Sequence, residues 1–356
     1  MTRSELPTLE GPNCPLPIAN RGQIVLGHGS GGQMTYDLVR NIFKRRLSNA
    51  ILDTSNDAAK VTGAPPGKRL VVSTDAHIVS PLFFAGGDIG RLAVCGTVND
   101  VAMLGAEPRF LTATFILEEG FSIQELEMVV DSFAKACLEA GVELIAADTK
   151  VTEKGKSDKL FISTTGFGWA ESQLQIGGEQ AKPGDAVILS GPVGNHGIAV
   201  AEARGNLGFS SQVRSDIAPL NLLVRALLQA GLDVHVLRDP TRGGLATSLV
   251  EIARQSQVNI QLDEEKIPVD KPVRKTCELL GLDPLYLANE GKLILILPSA
   301  QVEEALRVMR STRYGEQATV IGQILESSRG QVWLKTPFGT TRVLEMLAGE
   351  MLPRIC

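Results

Sequence analysis

Aromatic residues are scarce, at 4% of the chain with 2 Trp and 3 Tyr, which leaves too few rings for a base-stacking surface. There is no basic excess: 35 Lys and Arg face 40 Asp and Glu, a net charge of -5, against the pattern of nucleic-acid binders. Long apolar runs are missing too. The longest stretch free of charged residues, 186–201, is interrupted by Gly191-Pro192 and Asn195-His196, and a spanning helix takes about 20 mainly apolar residues. Arg3, Glu5 and several prolines stand where a signal peptide would carry its apolar core. The expectation is a soluble, cytoplasmic protein without a membrane segment. The 5 cysteines are scattered singly, with no CxxC pair for zinc and an odd count for a disulfide framework. Only 4 His are present, and no Ser-His-Asp order supports triad hydrolysis.

What is there suits a folded, loop-rich α/β enzyme: 356 residues, 44% hydrophobic, with 36 Gly and 18 Pro. That length implies two domains. Residues 1–20 read as an extension without periodicity. A short run at 23–26 leads into a glycine loop, then into a helix with Met34, Leu38, Ile42 and Phe43 on one face. Strands are expected at 70–73, 110–117, 143–147 and 159–165, and helices at 89–104 and from the Ser122/Glu125 capping box to about Gly141. The polar stretch 171–185, with Gly177-Gly178 and Pro183-Gly184, is the boundary. A second alternation of strands and helices follows. The expected layout is therefore 1–20, 21–170, 171–348 and a terminal tail 349–356. Cys95, Cys137 and Cys277 sit in apolar patterns and read as core.

The glycine loop at 27–32 would offer N–H groups to an anion at a helix start. Gly27, Gly29 and Gly32, with Asp53 beyond Ile51-Leu52, also fit a dinucleotide fingerprint, so that reading stays open at this point. Asp75, Asp148 and Asp239 each follow a hydrophobic run, the place where α/β active sites gather, and Asp57 and Asn99-Asp100 could join them. Several Asp, a glycine loop and no Cys/His cluster favour a magnesium nucleotide over zinc. Each Asp taken singly is equally at home as a turn or cap residue. Cys356 follows a stretch containing Gly349 that could carry a thiol between a pocket and a partner.

Seven motifs carry a resemblance: LGHGSGG (26–32), STDA (73–76), VND (98–100), ADTK (147–150), RDPTRGG (238–244), ANEG (288–291) and PRIC (353–356). Together they resemble the HypE family of hydrogenase maturation factors, in the superfamily of aminoimidazole ribonucleotide synthetase and selenophosphate synthetase. The resemblance covers roughly Ile24 to Cys356.

It implies two mixed α/β domains of the AIR-synthetase type: an N-terminal ATP-binding, dimerising domain and a C-terminal α/β domain, with a mobile tail carrying Cys356. It also implies that the glycine loop covers ATP rather than forming a dinucleotide turn. Gly29, Ser30, Gly31, Gly32, Asp57, Asp75, Asn99, Asp100, Asp148 and Asp239 would hold the nucleotide, with Asp75, Asp100, Asp148 and Asp239 on Mg2+. The implied activity is ATP-dependent dehydration of a carbamoyl group on Cys356 to a thiocyanate, with Lys150 and Glu290 handling protons. The carbamoyl group would come from HypF carbamoyltransferase and the cyano group would pass to a HypC–HypD complex. One departure stands out: the family's Gly-Asp-His-Gly is Gly194-Asn195-His196-Gly197 here, which weakens any charge-based role at that position. A thiol carrier without catalysis and a related ATP-using kinase or synthetase remain as alternatives.

Overall fold

In the computed structural model the described residues are 22–29, 33–54, 63–205, 212–327, 329–346, 352 and 355. The N-terminal half is built on β1 (Lys68–His77), a two-stranded hairpin β2 (Phe83–Phe84) and β3 (Gly87–Asp88), and β4 (Glu107–Glu118), β5 (Glu143–Thr152) and β6 (Leu160–Glu171). Its four-stranded sheet runs β1-β6-β4-β5, parallel only between β4 and β5. A helical segment comprising α1 (Gln33–Leu38), a wider π-helical stretch and α2 (Arg45–Leu47) precedes it, and Leu38, Ile42 and Phe43 are buried as the sequence pattern predicts. α3 (Ile89–Met103) and α4 (Ile123–Ala140) pack on one face of this sheet.

α3 is apolar around most of its circumference, which suits a helix enclosed on all sides. Asp88 starts it by accepting hydrogen bonds from the N–H groups of Gly90 (2.7 Å) and Arg91 (3.2 Å). Its close approach to β6 depends on glycine. A Cβ at Gly166 would stand 2.8 Å from Thr97 Cγ2, and one at Gly168 only 2.7 Å from Val101 Cγ1.

The second half holds β7 (Asp185–Leu189), α5 (Asn195–Ala203), α6 (Asn221–Gln229), β8 (Val236–Arg238), α7 (Gly244–Ser256), β9 (Asn259–Asp263), α8 (Lys271–Leu280), β10 (Ile294–Pro298), α9 (Val302–Arg310) and β11 (Thr319–Leu325), β12 (Val332–Lys335) and β13 (Thr341–Leu344). They form a seven-stranded sheet, β13-β12-β9-β11-β7-β10-β8. Val187 and Leu189 join the core with α7, while Ile188 joins the core with α6 and α9, so β7 is buried on both sides and reads as a continuous apolar run. Ala102 and Met103 at the end of α3 enter that second core.

The two halves are bonded directly across their seam. Asn99 Nδ2 donates to Ala218 O (3.0 Å), and Asn99 Oδ1 accepts from Leu220 N (2.8 Å). Asn221 Nδ2 donates to Ala140 O (2.8 Å). Glu139 pairs with Arg91 (2.7 Å) and Arg313 (3.1 Å), and accepts from the Tyr314 hydroxyl.

Three expectations are corrected. The short run at 23–26 is no strand: Gln23 makes one isolated bridge to Ser122, and Leu26–Gly29 is a 3-10 turn. No parallel strand carries Asp53, which lies in a 3-10 turn and accepts from the Ser48 hydroxyl, so the dinucleotide reading fails for want of a βαβ unit. β1 and β5 also run through Asp75 and Asp148 instead of ending before them, because pairing continues to Thr164 and Thr114 respectively. The core reading of Cys95, Cys137 and Cys277 matches their burial.

Among the described residues no element covers the other face of the four-stranded sheet: Leu70 and Val72 are exposed, and Phe110, Ile116, Phe167 and Trp169 are half-buried. Among the described residues no helix is long and apolar enough to cross a membrane.

Gly166→Ala, whose Cβ would meet only Thr97 and Val101 of α3, should lower the urea unfolding free energy by about 1–3 kcal/mol through overpacking. Gly63→Ala, where a Cβ meets nothing within 4 Å, is the control and should change it by less than about 0.5 kcal/mol. Equal effects in the two variants would show that the helix–sheet approach is not tight.

Candidate active site at the seam between the two halves

A cavity of about 460 Å³ lies where β1, α3 and the turn after β8 converge. Asp75 reaches it from β1, Asp100 from α3, Asp239 from the β8–α7 turn and Glu290 from the segment before β10. The Ser73 hydroxyl donates to Asp100 Oδ2 at 2.8 Å, and Asp75 Oδ1 accepts from Ala76 N at 2.7 Å. Arg238 and Arg242 line the same space. Arg238 is tied to Glu251 at 2.7 Å. Neither arginine was singled out as a site residue in the sequence, although both stand in the RDPTRGG motif.

Too many acids share this space for all to stay ionised. Burial, then the neighbouring Asp100, pushes Asp239 up to about 7. Asp100 is also raised, by burial and then by Asp75, against the Ser73 hydrogen bond and the two arginines. Glu290 is buried and raised well above the usual carboxylate range, chiefly by desolvation and next by Asp239. Its Oε1 has no hydrogen-bond partner among the described residues. His77 is buried yet lines the cavity. Burial holds it down at about 4 in spite of Asp75 at 3.9 Å, so the ring is neutral. Such clusters of displaced pKa values mark functional sites.

Strand parity separates the remaining candidates. Asp75 pairs with buried Thr164 and faces α3, whereas Asp148 pairs with Thr114 on the open face of the sheet. Lys150, two residues along β5, shares that open face and pairs with Asp148 at 2.7 Å. This lysine holds the Asp148 carboxyl below its ordinary value. The structure therefore brings together Asp75, Asp100, Asp239 and Glu290, and leaves Asp148 and Lys150 on the opposite side. Asn99, expected beside the nucleotide, has both ends of its amide bonded across the seam. Gly29 closes the 3-10 turn whose Val25 N donates to His28 Nδ1 at 3.0 Å. Ser30, Gly31, Gly32, Asp57 and Cys356 lie outside the described residues. Among the described residues no three acidic, His or Cys side chains stand close enough to hold a metal ion by themselves.

A contact that no sequence pattern signals adjoins the Glu290 wall. His196, in α5, is fully enclosed, and its Nε2 lies 2.8 Å from the carbonyl oxygen of Ile355. Ile355 is itself buried in the N-terminal core, and Leu352 packs against both that core and the α5–α8 cluster. On its other side, His196 Nδ1 is 2.9 Å from Ser215 Oγ. The next residue, Asp216, accepts from Glu290 N at 3.2 Å and faces Lys292 at 3.3 Å. Asn195 donates to Asp270 (2.9 Å), leaving its own Oδ1 unpartnered.

Family models for the AIR synthase related protein match both halves, the N-terminal domain over residues 55–170 and the C-terminal domain over residues 182–335. That defines the class as a two-domain AIR synthase-related protein. Carbamoyl dehydratase HypE of Azotobacter vinelandii is 50% identical over 335 residues, 94% of this chain and 98% of that protein. The corresponding protein of Escherichia coli K12 is 41% identical over 336 residues, 94% of this chain and 99% of its own length. A crystal structure of the hydrogenase maturation protein HypE in complex with ATP superposes with a TM-score of 0.89 at 50% identity, covering 93% of this chain and 99% of that one. HypE in a HypE–HypF complex superposes at 0.76 with 45% identity, over 87% and 99% of the two chains. The chain belongs to the HypE family. Thiamine-monophosphate kinase of Stenotrophomonas maltophilia, at 21% identity and a TM-score of 0.63, shares the fold.

Asp239 tests the electrostatics. A carboxyl raised from 3.8 to about 7 stabilises the fold when protonated, and that contribution is lost as pH rises between those values. Asp239→Asn should therefore raise thermal stability little near pH 4 and by roughly 4 kcal/mol at pH 8. A gain of the same size at both pH values, by calorimetry, would remove Asp239 from the strained cluster.

Proposed function

We propose that this chain is an ATP-dependent carbamoyl dehydratase acting on a carbamoyl group carried by its own Cys356. The product is a thiocyanate, whose cyano group serves as a ligand in nickel–iron hydrogenase assembly. The observation that carries this reading is the acid-lined cavity of Asp75, Asp100, Asp239 and Glu290, and the burial of Ile355, the residue before Cys356, against His196 adds to it. The family membership and the ATP complex of a 50% identical HypE support the nucleotide assignment.

The chemistry requires an activated oxygen. An amide oxygen leaves poorly, so it attacks the γ-phosphorus of ATP, releasing ADP and forming an O-phosphorylated imidate with loss of one N–H proton. Phosphate then departs with the second proton, leaving S–C≡N. The protein supplies position and charge balance. Arg238 and Arg242 face the phosphates, and Glu290, with an unpartnered oxygen and a raised pKa, accepts a proton.

Mg2+ fits this donor chemistry: the hard carboxylate oxygens of Asp75, Asp100 and Asp239 would hold it together with the nucleotide, where acids outnumber the two arginines. The cation would relieve the crowding that raises the carboxylates and neutralise phosphate charge. Ser30, Gly31, Gly32 and Asp57 are assigned to the nucleotide by their motifs.

Asp148 and Lys150 join a nucleotide site in a homodimer, whose second copy covers the apolar face of the four-stranded sheet. The complex of HypF with a 45% identical HypE supports HypF as carbamoyl donor. HypC–HypD is the acceptor, and the reaction takes place in the cytoplasm. The domain limits at 170/171 and 348/349 complete this reading.

Three measurements decide it. Asp75→Asn and Asp239→Asn should each weaken Mg-ATP binding in calorimetry, and unaltered affinity in both would remove the acids from the nucleotide site. After incubation with HypF, carbamoyl phosphate and ATP, mass spectrometry of the C-terminal peptide should find the carbamoyl mass converted by loss of one water. Glu290→Gln should bind ATP and keep the carbamoyl group while conversion slows roughly 10²–10⁴-fold. Full-rate conversion would dismiss Glu290 as the base, and a peptide that never loses water would leave only a thiol carrier. Val72→Asp should turn a dimer into a monomer in sedimentation velocity, and a dimer that persists would move the interface elsewhere.

A further inference from the structure

The hydrogen bond between α5 and Ile355 joins residues 159 positions apart and crosses the seam. A carbonyl oxygen only accepts, so Nε2 of His196 carries the proton. In a neutral ring Nδ1 then accepts from the Ser215 hydroxyl, and Ser215 Oγ in turn accepts from Ile217 N at 3.2 Å. Every partner of the ring is thereby fixed in one direction. Ser215 is held from behind by its N–H on Ala85 O at 2.7 Å, and the Phe84 ring meets the imidazole edge to face at 5.5 Å. The hairpin β2–β3 and α5 thus clasp the imidazole from both halves. Gly197 N also donates to Ala288 O at 3.1 Å, so α5 is tied to the stretch that carries Glu290.

We propose that His196 is a positioning residue: its Nε2–H holds the Ile355 carbonyl and so sets how much of the time Ile355 is seated against α5. Delivery of Cys356 to the cavity rests on the function proposed above. The latch itself does not.

The test uses the full-length chain and its thiol chemistry, without ATP or partner. Alkylation of Cys356 is followed by mass spectrometry of the C-terminal peptide, which separates it from the buried Cys95, Cys137 and Cys277. His196→Leu should speed alkylation roughly two- to tenfold, the range for one intramolecular hydrogen bond. His196→Gln, whose amide can replace the Nε2 donor, should restore protection to within about twofold. In the carbamoylated chain, conversion to thiocyanate should slow in the Leu variant by a similar factor and recover in the Gln variant, with ATP affinity unchanged in both.

Equal alkylation of wild type and a folded Leu variant, or no rescue by Gln, overturns the latch. Should the Leu variant fail to fold, imidazole NMR of the wild-type ring decides. Removal of residues 352–356 must shift the His196 Nε2–H resonance, and an unmoved resonance overturns the proposal. A chain whose Cys356 is protected by His196 but never carbamoylated would overturn the dehydratase reading and leave the latch standing.

Discussion

Buried carboxylates that outnumber the arginines beside them govern this molecule. Asp100, Asp239 and Glu290 are crowded at one seam, and desolvation pushes all three toward their protonated forms. A fold selected only for stability would replace such a cluster with apolar side chains. Its presence makes the cavity a receptor for positive charge and a store of protons. Both properties suit a reaction that brings in a polyphosphate with its cation and removes two protons from nitrogen.

The geometry that gathers these acids comes from α3. One apolar helix is enclosed by the first sheet, α4 and the second core, so its position is set by packing on every side. Glycines on β6 let it approach the sheet closely, and the Asp88 cap fixes where it begins. The acids arriving from β1, the β8 turn and the segment before β10 meet Asp100 because those elements all pack around this one helix.

Much of the architecture was legible from local pattern. The amphipathic stripe of α4, the buried run of β7 and the capping signal at Ser122 all report burial through residues close in sequence. Family motifs named Asp75, Asp100, Asp239 and Glu290, and the structure lines one cavity with all four. What failed was parity: a carboxylate in an extended run belongs to one face or the other, and counting by twos from Thr114 and Thr164 separates Asp148 from Asp75. Pattern also could not tell that Asn99 serves the seam while Asp100, beside it, serves the cavity. The His196–Ile355 contact was invisible because a main-chain carbonyl leaves no trace in residue type.

Asn99 and Asp100 are successive residues on a single rigid helix, one bonded to the backbone of the opposite half and the other turned toward the acids. They behave as two teeth of one gear. Any rotation of α3 that improves the grip of Asp100 on a bound charge must drag Asn99 against Ala218 and Leu220, and any slip between the halves must turn Asp100. Registration of the two halves and the place of Asp100 in the cavity are therefore a single mechanical variable, and a change on the α6 side of the seam is carried through α3 to the acids.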